Sequence, residues 1–133
     1  MVCELAAIAE DDDMFRFALA KLFRHYGYGV VEFSDGSQLA DYLTATSGVD
    51  VPALVVLADV VLPGMTGLDA CSAARTAGCT SRFIFMSAFD DDGVLSEALA
   101  LGPTGIFKKP FDVDALRMAV DEISGAIPRD AQT

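Results

Sequence analysis

The sequence predicts an α/β fold, a doubly wound five-stranded parallel sheet with five helices in three α-β-α layers. Short apolar runs alternate along the chain with segments whose apolar residues recur every three or four positions, the pattern of alternating strands and helices. The run from Ala53 to Ala58 is apolar throughout, which is typical of a central parallel strand buried on both faces. One helical pattern follows each strand, as a parallel sheet requires.

Each strand is predicted from a short run rich in apolar residues. The predicted strands are Leu5–Ala9, Gly29–Phe33, Ala53–Asp59, Arg82–Met86 and Gly105–Lys108. A carboxylate is rarely buried without a partner, so Asp59 is expected at the C-terminal end of its strand, where the chain reaches the surface.

The helices are predicted from apolar periodicity and from capping, glycine and proline residues at their ends. The first helix is predicted to end at about His25 and the third near Gly78. The second is predicted to begin at Ser34–Gly36 and to end at Ser47–Gly48. The fourth is predicted to begin at Asp90–Asp92 and to end at Gly102, and the fifth to begin at Asp112 and to end at Pro128. In the fourth helix Val94, Leu95, Ala98 and Leu99 are expected to face inward.

Composition restricts the function. The 133 residues fit one domain, with a core from about residue 5 to 127 and a polar tail at 128–133. A net charge of −11 argues against binding nucleic acid or an anionic membrane directly. The sequence has neither an apolar run long enough for a membrane span nor a basic secretory N-terminus, so a cytoplasmic location is expected. Three cysteines without metal-site spacing are expected to be reduced.

Residues with unusual chemistry follow successive strands. Glu10 and Asp11 follow the first strand, Asp59 ends the third, Ser87 follows the fourth and Lys109 follows the fifth. Because the carboxyl ends of parallel strands share one edge, these side chains are expected to converge. Closely packed carboxylates repel one another unless a cation intervenes, and Mg²⁺ suits such a site.

This set of groups suits phosphoryl transfer. A carboxylate beside a metal ion, a lysine and a hydroxyl can attack phosphorus, while the cations neutralise the phosphoryl oxygens. The expected product is an acyl phosphate on Asp59.

The ordered motifs resemble the response-regulator receiver domain (CheY-like) of two-component phosphorelay signalling. The resemblance extends from about Leu5 to Ile127 and implies the flavodoxin-like, CheY-like form of the predicted fold. The matching motifs are Glu10–Asp12 with Arg16, Asp59–Gly67, Ser87–Ala88 and Lys109–Phe111.

The resemblance implies roles for the acidic residues. Asp59 resembles the phosphoacceptor and a ligand of Mg²⁺, for which Mn²⁺ is an expected substitute. Asp11 resembles the direct carboxylate ligand, with Glu10 acting through metal-bound water. Val61 is implied to offer its backbone carbonyl to the metal.

The resemblance also implies roles at the ends of the fourth and fifth strands. Ser87 is similar to the family's switch hydroxyl, and Ala88 and Lys109 resemble its phosphate-binding residues. The bond between Lys109 and Pro110 is expected to be cis. Ile106 departs from the family, which usually carries an aromatic residue there, and a stiff isoleucine cannot signal by a tyrosine-like swing.

The implied function is a switch that takes a phosphoryl group from a sensor histidine kinase or histidine phosphotransfer protein. The face of the fourth helix, fifth strand and fifth helix would then change its contacts with a downstream protein effector. The sequence leaves two questions undecided. One is whether phosphorylation produces a homodimer, and the other is whether the chain is a stand-alone receiver or part of a larger regulator or hybrid kinase. No turnover of an external substrate is expected.

Two other classes of protein compete with this interpretation: an interaction scaffold, and an enzyme on the same layered fold. A receiver-like interaction scaffold that is not phosphorylated is favoured only by Ile106. A dehalogenase-type phosphatase would need a second aspartate where Val61 stands, and a P-loop nucleotidase would need a glycine-rich loop with a Lys-Ser/Thr pair.

The apolar residues Val61 and Phe89, each two positions after an active-site residue, lead to one hypothesis. They are expected to screen Asp59 from water and so to lengthen the life of the acyl phosphate.

Overall fold

A computed structural model describes residues 5–46, 54–88, 92–109 and 111–124. The strands are β1 (Leu5–Ala9), β2 (Gly29–Phe33), β3 (Leu54–Asp59), β4 (Arg82–Ser87) and β5 (Gly105–Lys108). The helices are α1 (Asp13–His25), α2 (Gly36–Ala45), α3 (Gly67–Thr76), α4 (Asp92–Ala100) and α5 (Val113–Ser124). Each predicted strand and helix is present, and β4 is one residue longer than predicted.

All five strands are parallel and form one sheet in the order β2-β1-β3-β4-β5. The apolar strand β3 lies at the centre, between β1 and β4. Ala58 pairs with Ala9 on one side and with Phe85 on the other, and Ser87 pairs with Lys108. This register brings the carboxyl ends of β1, β3, β4 and β5 to one edge of the sheet.

Side chains that alternate along β3 enter two separate cores. Val56 and Ala58 pack with residues of α2, α3 and α4, whereas Val55 and Leu57 pack with residues of α1 and α5. The sheet therefore has helices on both faces, and the predicted doubly wound, three-layer fold is confirmed. The same alternation places Ile106 and Phe107 of β5 against opposite cores.

Side-chain caps begin the first three helices. Asp12 accepts hydrogen bonds from the amides of Met14 and Phe15, Asp35 from that of Gln38, and Thr66 from that of Asp69. Such caps pair amide groups that have no partner within the helix. Within the acidic run Glu10–Asp13, Asp12 therefore has a local structural role as the cap of α1.

The prediction that Leu99 faces inward is wrong. Ala98 of α4 is buried, but the side chain of Leu99 is 60% exposed. Consecutive residues of a helix point about 100° apart, so a short helix that packs through Ala98 turns Leu99 away from the sheet.

Several predictions lie outside the described residues: those for residues 1–4, Ser47–Gly48, Ala53, Phe89–Asp91, Pro110, and Ile127 with the tail. The predicted cis bond before Pro110 is among them. Within the part of the chain that is described, no helix is long and apolar enough to cross a membrane.

Candidate functional site

The candidate site lies at the carboxyl edge of the sheet. Asp59 and Ser87 are the last residues of β3 and β4, while Glu10 and Lys109 directly follow β1 and β5. The main chain continues the strand pairing past these ends: the amide of Glu10 donates to Phe33 at 3.0 Å, and that of Lys109 donates to Ser87 at 2.7 Å. The functional side chains are therefore carried by an ordered backbone.

Glu10 is almost fully buried, with 1% of its surface exposed. Its Oε2 accepts a hydrogen bond from the amide of Asp12 at 3.0 Å, and its Oε1 accepts one from Nζ of Lys109 at 2.6 Å. The guanidinium of Arg16 donates to the backbone carbonyl of Glu10 at 2.7 Å. These contacts fix both the side chain and the main chain of Glu10.

Asp59 lies at the predicted strand end but is buried rather than at the surface. Its Oδ1 accepts from the amide of Val61 at 2.9 Å, and its Oδ2 accepts from Nζ of Lys109 at 2.5 Å. The amide of Gly67 donates to the carbonyl of Val60 at 3.0 Å, which brings the start of α3 against the end of β3. Burial is tolerated because the carboxylate is paired with a cation and with a backbone donor.

Lys109 bridges the two buried carboxylates. Burial of the ammonium lowers its pKa, but the hydrogen bonds and charges of Asp59 and Glu10 outweigh this effect and leave the pKa of Lys109 raised. Its Nζ also lies over the ring of Phe15, 5.0 Å from the ring centroid. Lys109 is therefore a charged ammonium held in place from several sides.

The acidic residues meet the geometric requirement of a metal site. Glu10, Asp11 and Asp59 each offer a carboxylate oxygen, and these oxygens lie within 4.8 Å of one another. An all-oxygen donor set fits Mg²⁺, which also keeps several water ligands. Asp11 is exposed whereas Glu10 and Asp59 are buried, so the solvent side of the cluster lies at Asp11.

The other predicted residues are distributed around this centre. Ser87 is buried at the end of β4, and Ala88 follows it at an exposed position. The side chain of Val61 is 69% exposed, although its amide holds Asp59. Ile106 is half-buried and packs on the core shared with α2, α3 and α4.

Two residues, Phe15 and Arg16, make contacts that the sequence did not predict. Nothing in the sequence indicated that the ring of Phe15 faces the ammonium of Lys109. Arg16 belonged to a matching motif, but nothing in the sequence indicated that it binds the carbonyl of Glu10 and reaches Glu32 of β2 at 3.5 Å. The only available signal was the position of both residues in the first turns of the helix that follows the acidic pair.

Comparison with known proteins agrees with the geometry. The family model described as "Response regulator receiver domain" matches residues 6–121. Sporulation initiation phosphotransferase F of Bacillus subtilis is 32% identical over 120 residues, which cover 90% of this chain and 93% of that protein. A cyclic di-GMP phosphodiesterase of Thermotoga maritima is 27% identical over 113 residues, which cover 85% of this chain but only 29% of that protein.

A solved structure has the same fold. It is the receiver domain of a sensor histidine kinase from Pseudomonas aeruginosa, with a magnesium ion coordinated in its active-site cleft. It superposes with a TM-score of 0.74 at 22% identity and covers 92% of this chain and 97% of that one. The ordered motifs, the parallel sheet with its acidic edge and the match over residues 6–121 lead to one conclusion: this chain belongs to the response regulator receiver domain family of two-component signalling.

Proposed function

We propose that this receiver domain accepts a phosphoryl group on Asp59 from a phosphohistidine, in a reaction that depends on Mg²⁺. The observation that carries the proposal is the position of Lys109, whose ammonium donates to both Asp59 and Glu10 beside the exposed carboxylate of Asp11. This arrangement combines a buried nucleophile, a cation for the transferred group and an oxygen-rich metal site.

Asp59, Val61 and Lys109 have separate roles in the proposed transfer. Asp59 attacks phosphorus, the bond to the histidine nitrogen breaks, and the electron pair leaves with the imidazole. The amide of Val61 holds the attacking carboxylate in orientation. Lys109 exchanges its contact with Asp59 for one with a phosphoryl oxygen, and so neutralises charge that grows in the transition state.

Asp11 and Asp59 would bind Mg²⁺ directly, Glu10 through a water molecule, and Val61 through its backbone carbonyl. The ion would supply further neutralisation of the phosphoryl oxygens, and Mn²⁺ would serve in its place. The oxygen donors of Glu10, Asp11 and Asp59 fit this assignment.

Ser87 ends β4, the strand next to β3, and Ala88 follows it. Both would bind the phosphoryl group, Ser87 through its hydroxyl. A displacement of the end of β4 would change the conformation of the face formed by α4, β5 and α5. Ile106 lies on β5 of this face. A few kcal/mol of differential interaction is enough to shift a two-state domain of this kind.

Receiver domains interact with histidine kinases and with downstream effectors. We propose a sensor kinase or a histidine phosphotransfer protein as the donor here, a protein as the effector, the cytoplasm as the compartment, and residues 1–133 as one domain. The net charge of −11 supports a protein effector over a nucleic acid or a membrane surface.

The test is intact-mass measurement after incubation with MgCl₂ and acetyl phosphate. We expect a gain of one phosphoryl group that disappears in Asp59→Asn or with excess EDTA, and that persists in Asp69→Asn, which alters an exposed carboxylate of α3. Size-exclusion chromatography with a beryllofluoride mimic would show whether the product dimerises.

A native protein that gains no phosphoryl group, with acetyl phosphate or with any phosphohistidine donor, would contradict the proposal. The alternative, an interaction scaffold not controlled by phosphorylation, would then take its place. The half-buried aliphatic side chain of Ile106 is the one observation that favours this alternative.

A further inference from the structure

The side chain of Lys109 is held between Glu10 and Asp59, although a lysine side chain is flexible. A lysine side chain is a flexible four-carbon stem that ends in a compact charge. The side chain of Lys109 is 28% exposed, yet its Nζ donates to Glu10 and to Asp59 within 2.6 Å of each acceptor. Both carboxylates attract the ammonium, but neither restricts the path of the stem.

The ring of Phe15 lies on another side of the same ammonium. The distance from Nζ to the ring centroid is 5.0 Å, within the range of an attractive cation–π contact. A ring face neither takes the proton nor forms a directional salt bridge, so the contact allows the ammonium to exchange one anionic partner for another.

Phe15 is held by further rings. It packs against Phe111 with centroids 5.8 Å apart and planes at 64°, and Phe111 packs against Phe107 at 5.6 Å and 66°. Both are edge-to-face arrangements, which aromatic pairs prefer. The row extends from α1 to β5, the strand that Lys109 directly follows, and therefore fixes the ring relative to the base of the lysine stem.

We propose that Phe15 is a positioning residue that holds the ammonium of Lys109 at the phosphoacceptor while this ammonium exchanges Asp59 for the incoming phosphoryl group. The proposal rests on the proposed function. Without the ring, Lys109 keeps its charge and its carboxylate partners but samples more positions over the exposed side of the site. Phosphoryl transfer then slows, whereas Mg²⁺ affinity stays close to native, because the ammonium keeps its charge and its contacts with Glu10 and Asp59.

The test compares Phe15→Leu, which keeps an apolar side chain but removes the ring face, with Phe15→Tyr, which restores it. Phe17→Leu is the matched control, because Phe17 is exposed on the same helix. We expect the rate with acetyl phosphate to fall about three- to tenfold in Phe15→Leu and to stay within about twofold of native in the other two variants. The Mg²⁺ dissociation constant should stay native in all three.

A second measurement does not depend on phosphorylation. The ε-methylene protons of Lys109 should be shifted upfield by the ring in ¹H–¹³C spectra of the native protein and of Phe15→Tyr, and should move to ordinary lysine values in Phe15→Leu. An unchanged Lys109 shift in Phe15→Leu, or an equal loss of rate in Leu and Tyr variants of native stability, would overturn the proposal. If the native protein itself is not phosphorylated, the proposed function fails, and the spectra still decide whether the ring holds the lysine.

Discussion

The guanidinium of Arg16 donates a 2.7 Å hydrogen bond to the backbone carbonyl of Glu10, six residues earlier in the chain. The same side chain contacts Asp13 at 2.7 Å and Glu32 at 3.5 Å. Arg16 therefore ties the turn that carries the acidic pair to both α1 and β2. The three contacts use three different nitrogens of the planar guanidinium, Nη1, Nη2 and Nε, whereas a lysine has a single nitrogen.

Arg16→Lys should weaken Mg²⁺ binding. The substitution keeps the charge but loses the fork, so the turn that carries Glu10 and Asp11 becomes less ordered, and we expect the dissociation constant to rise about three- to tenfold. Isothermal titration calorimetry measures this constant directly. Arg24→Lys is the matched control, because Arg24 also pairs with Glu32, at 3.2 Å, but donates to Val30 rather than Glu10. Equal losses in the two variants would contradict a specific role for Arg16.

Lys109→Met should bind Mg²⁺ more tightly and accept phosphate more slowly. Removal of the ammonium leaves a more negative cluster around Asp59, so Mg²⁺ affinity should rise about tenfold, while the phosphoryl oxygens lose a neutralising partner. Without metal, the variant should be about 2–4 kcal/mol less stable, because Glu10 stays buried without its cation.

Urea denaturation with and without MgCl₂, calorimetry and intact-mass kinetics measure these three effects. Lys108→Met, which removes an exposed charge at the end of β5, should change none of them substantially. Weaker Mg²⁺ binding in Lys109→Met would show that the lysine supports the metal site rather than opposing it.

Gly67→Ala should damage the site through a backbone clash. A Cβ at Gly67 would lie 2.2 Å from the carbonyl oxygen of Asp59 and 3.0 Å from its carbonyl carbon, so the start of α3 must move away from the end of β3. We expect a loss of about 2–4 kcal/mol in the free energy of unfolding, together with slower phosphorylation.

Gly102→Ala separates this effect from backbone strain alone. Gly102 has φ of 67°, and its Cβ would meet no atom within 4 Å. Its substitution should cost about 1–2 kcal/mol and leave the phosphorylation rate of the folded protein unchanged. A slower rate in Gly102→Ala as well would mean that lost stability, rather than displacement of Asp59, explains the effect.

We expect Cys71 to lower the free energy of unfolding at alkaline pH. Burial raises the pKa of its thiol to about 11 from 9.0, with the charge of Arg75 acting against this shift and Cys79 adding to it. As pH rises above 9, the unfolded chain loses the proton before the folded chain does, so the folded state becomes less favoured. Between pH 8 and 10 this thiol should lower the free energy of unfolding by about 1 kcal/mol. Urea denaturation of the native protein and Cys71→Ala measures the difference, and parallel pH profiles for the two proteins would disprove it.

The acyl phosphate on Asp59 should last for minutes or longer in Mg²⁺. We expect the apolar side chain of Val61, together with Phe89, to disfavour an ordered attacking water, although Phe89 lies outside the described residues. Val61→Asn should shorten the lifetime, whereas Val61→Ile should preserve it; intact mass followed over time measures both. A native half-life of seconds, or equal lifetimes in the two variants, would refute the hypothesis.

Much of the fold follows from local sequence patterns. The run before Asp59 is apolar on both sides of a strand and short, which is typical of a buried strand. Asp12 begins a helix through its side-chain cap, and Gly102 follows the end of another with a positive φ. Leu99 was predicted incorrectly because apolar periodicity in a short helix defines the direction of the buried face only approximately. The contacts of Phe15 and Arg16 could not be predicted, since periodicity indicates which face is buried but not which atoms meet it.

The sequence by itself determined the order of strands and helices and placed Glu10, Asp59, Ser87 and Lys109 at strand ends, because propensity, capping and apolar patterning act between near neighbours. Only the tertiary structure decided that β1 and β3 lie side by side and that one ammonium bridges Glu10 and Asp59. Lys109 is 99 residues from Glu10 and 50 from Asp59, and contacts over such separations form only when the whole sheet assembles.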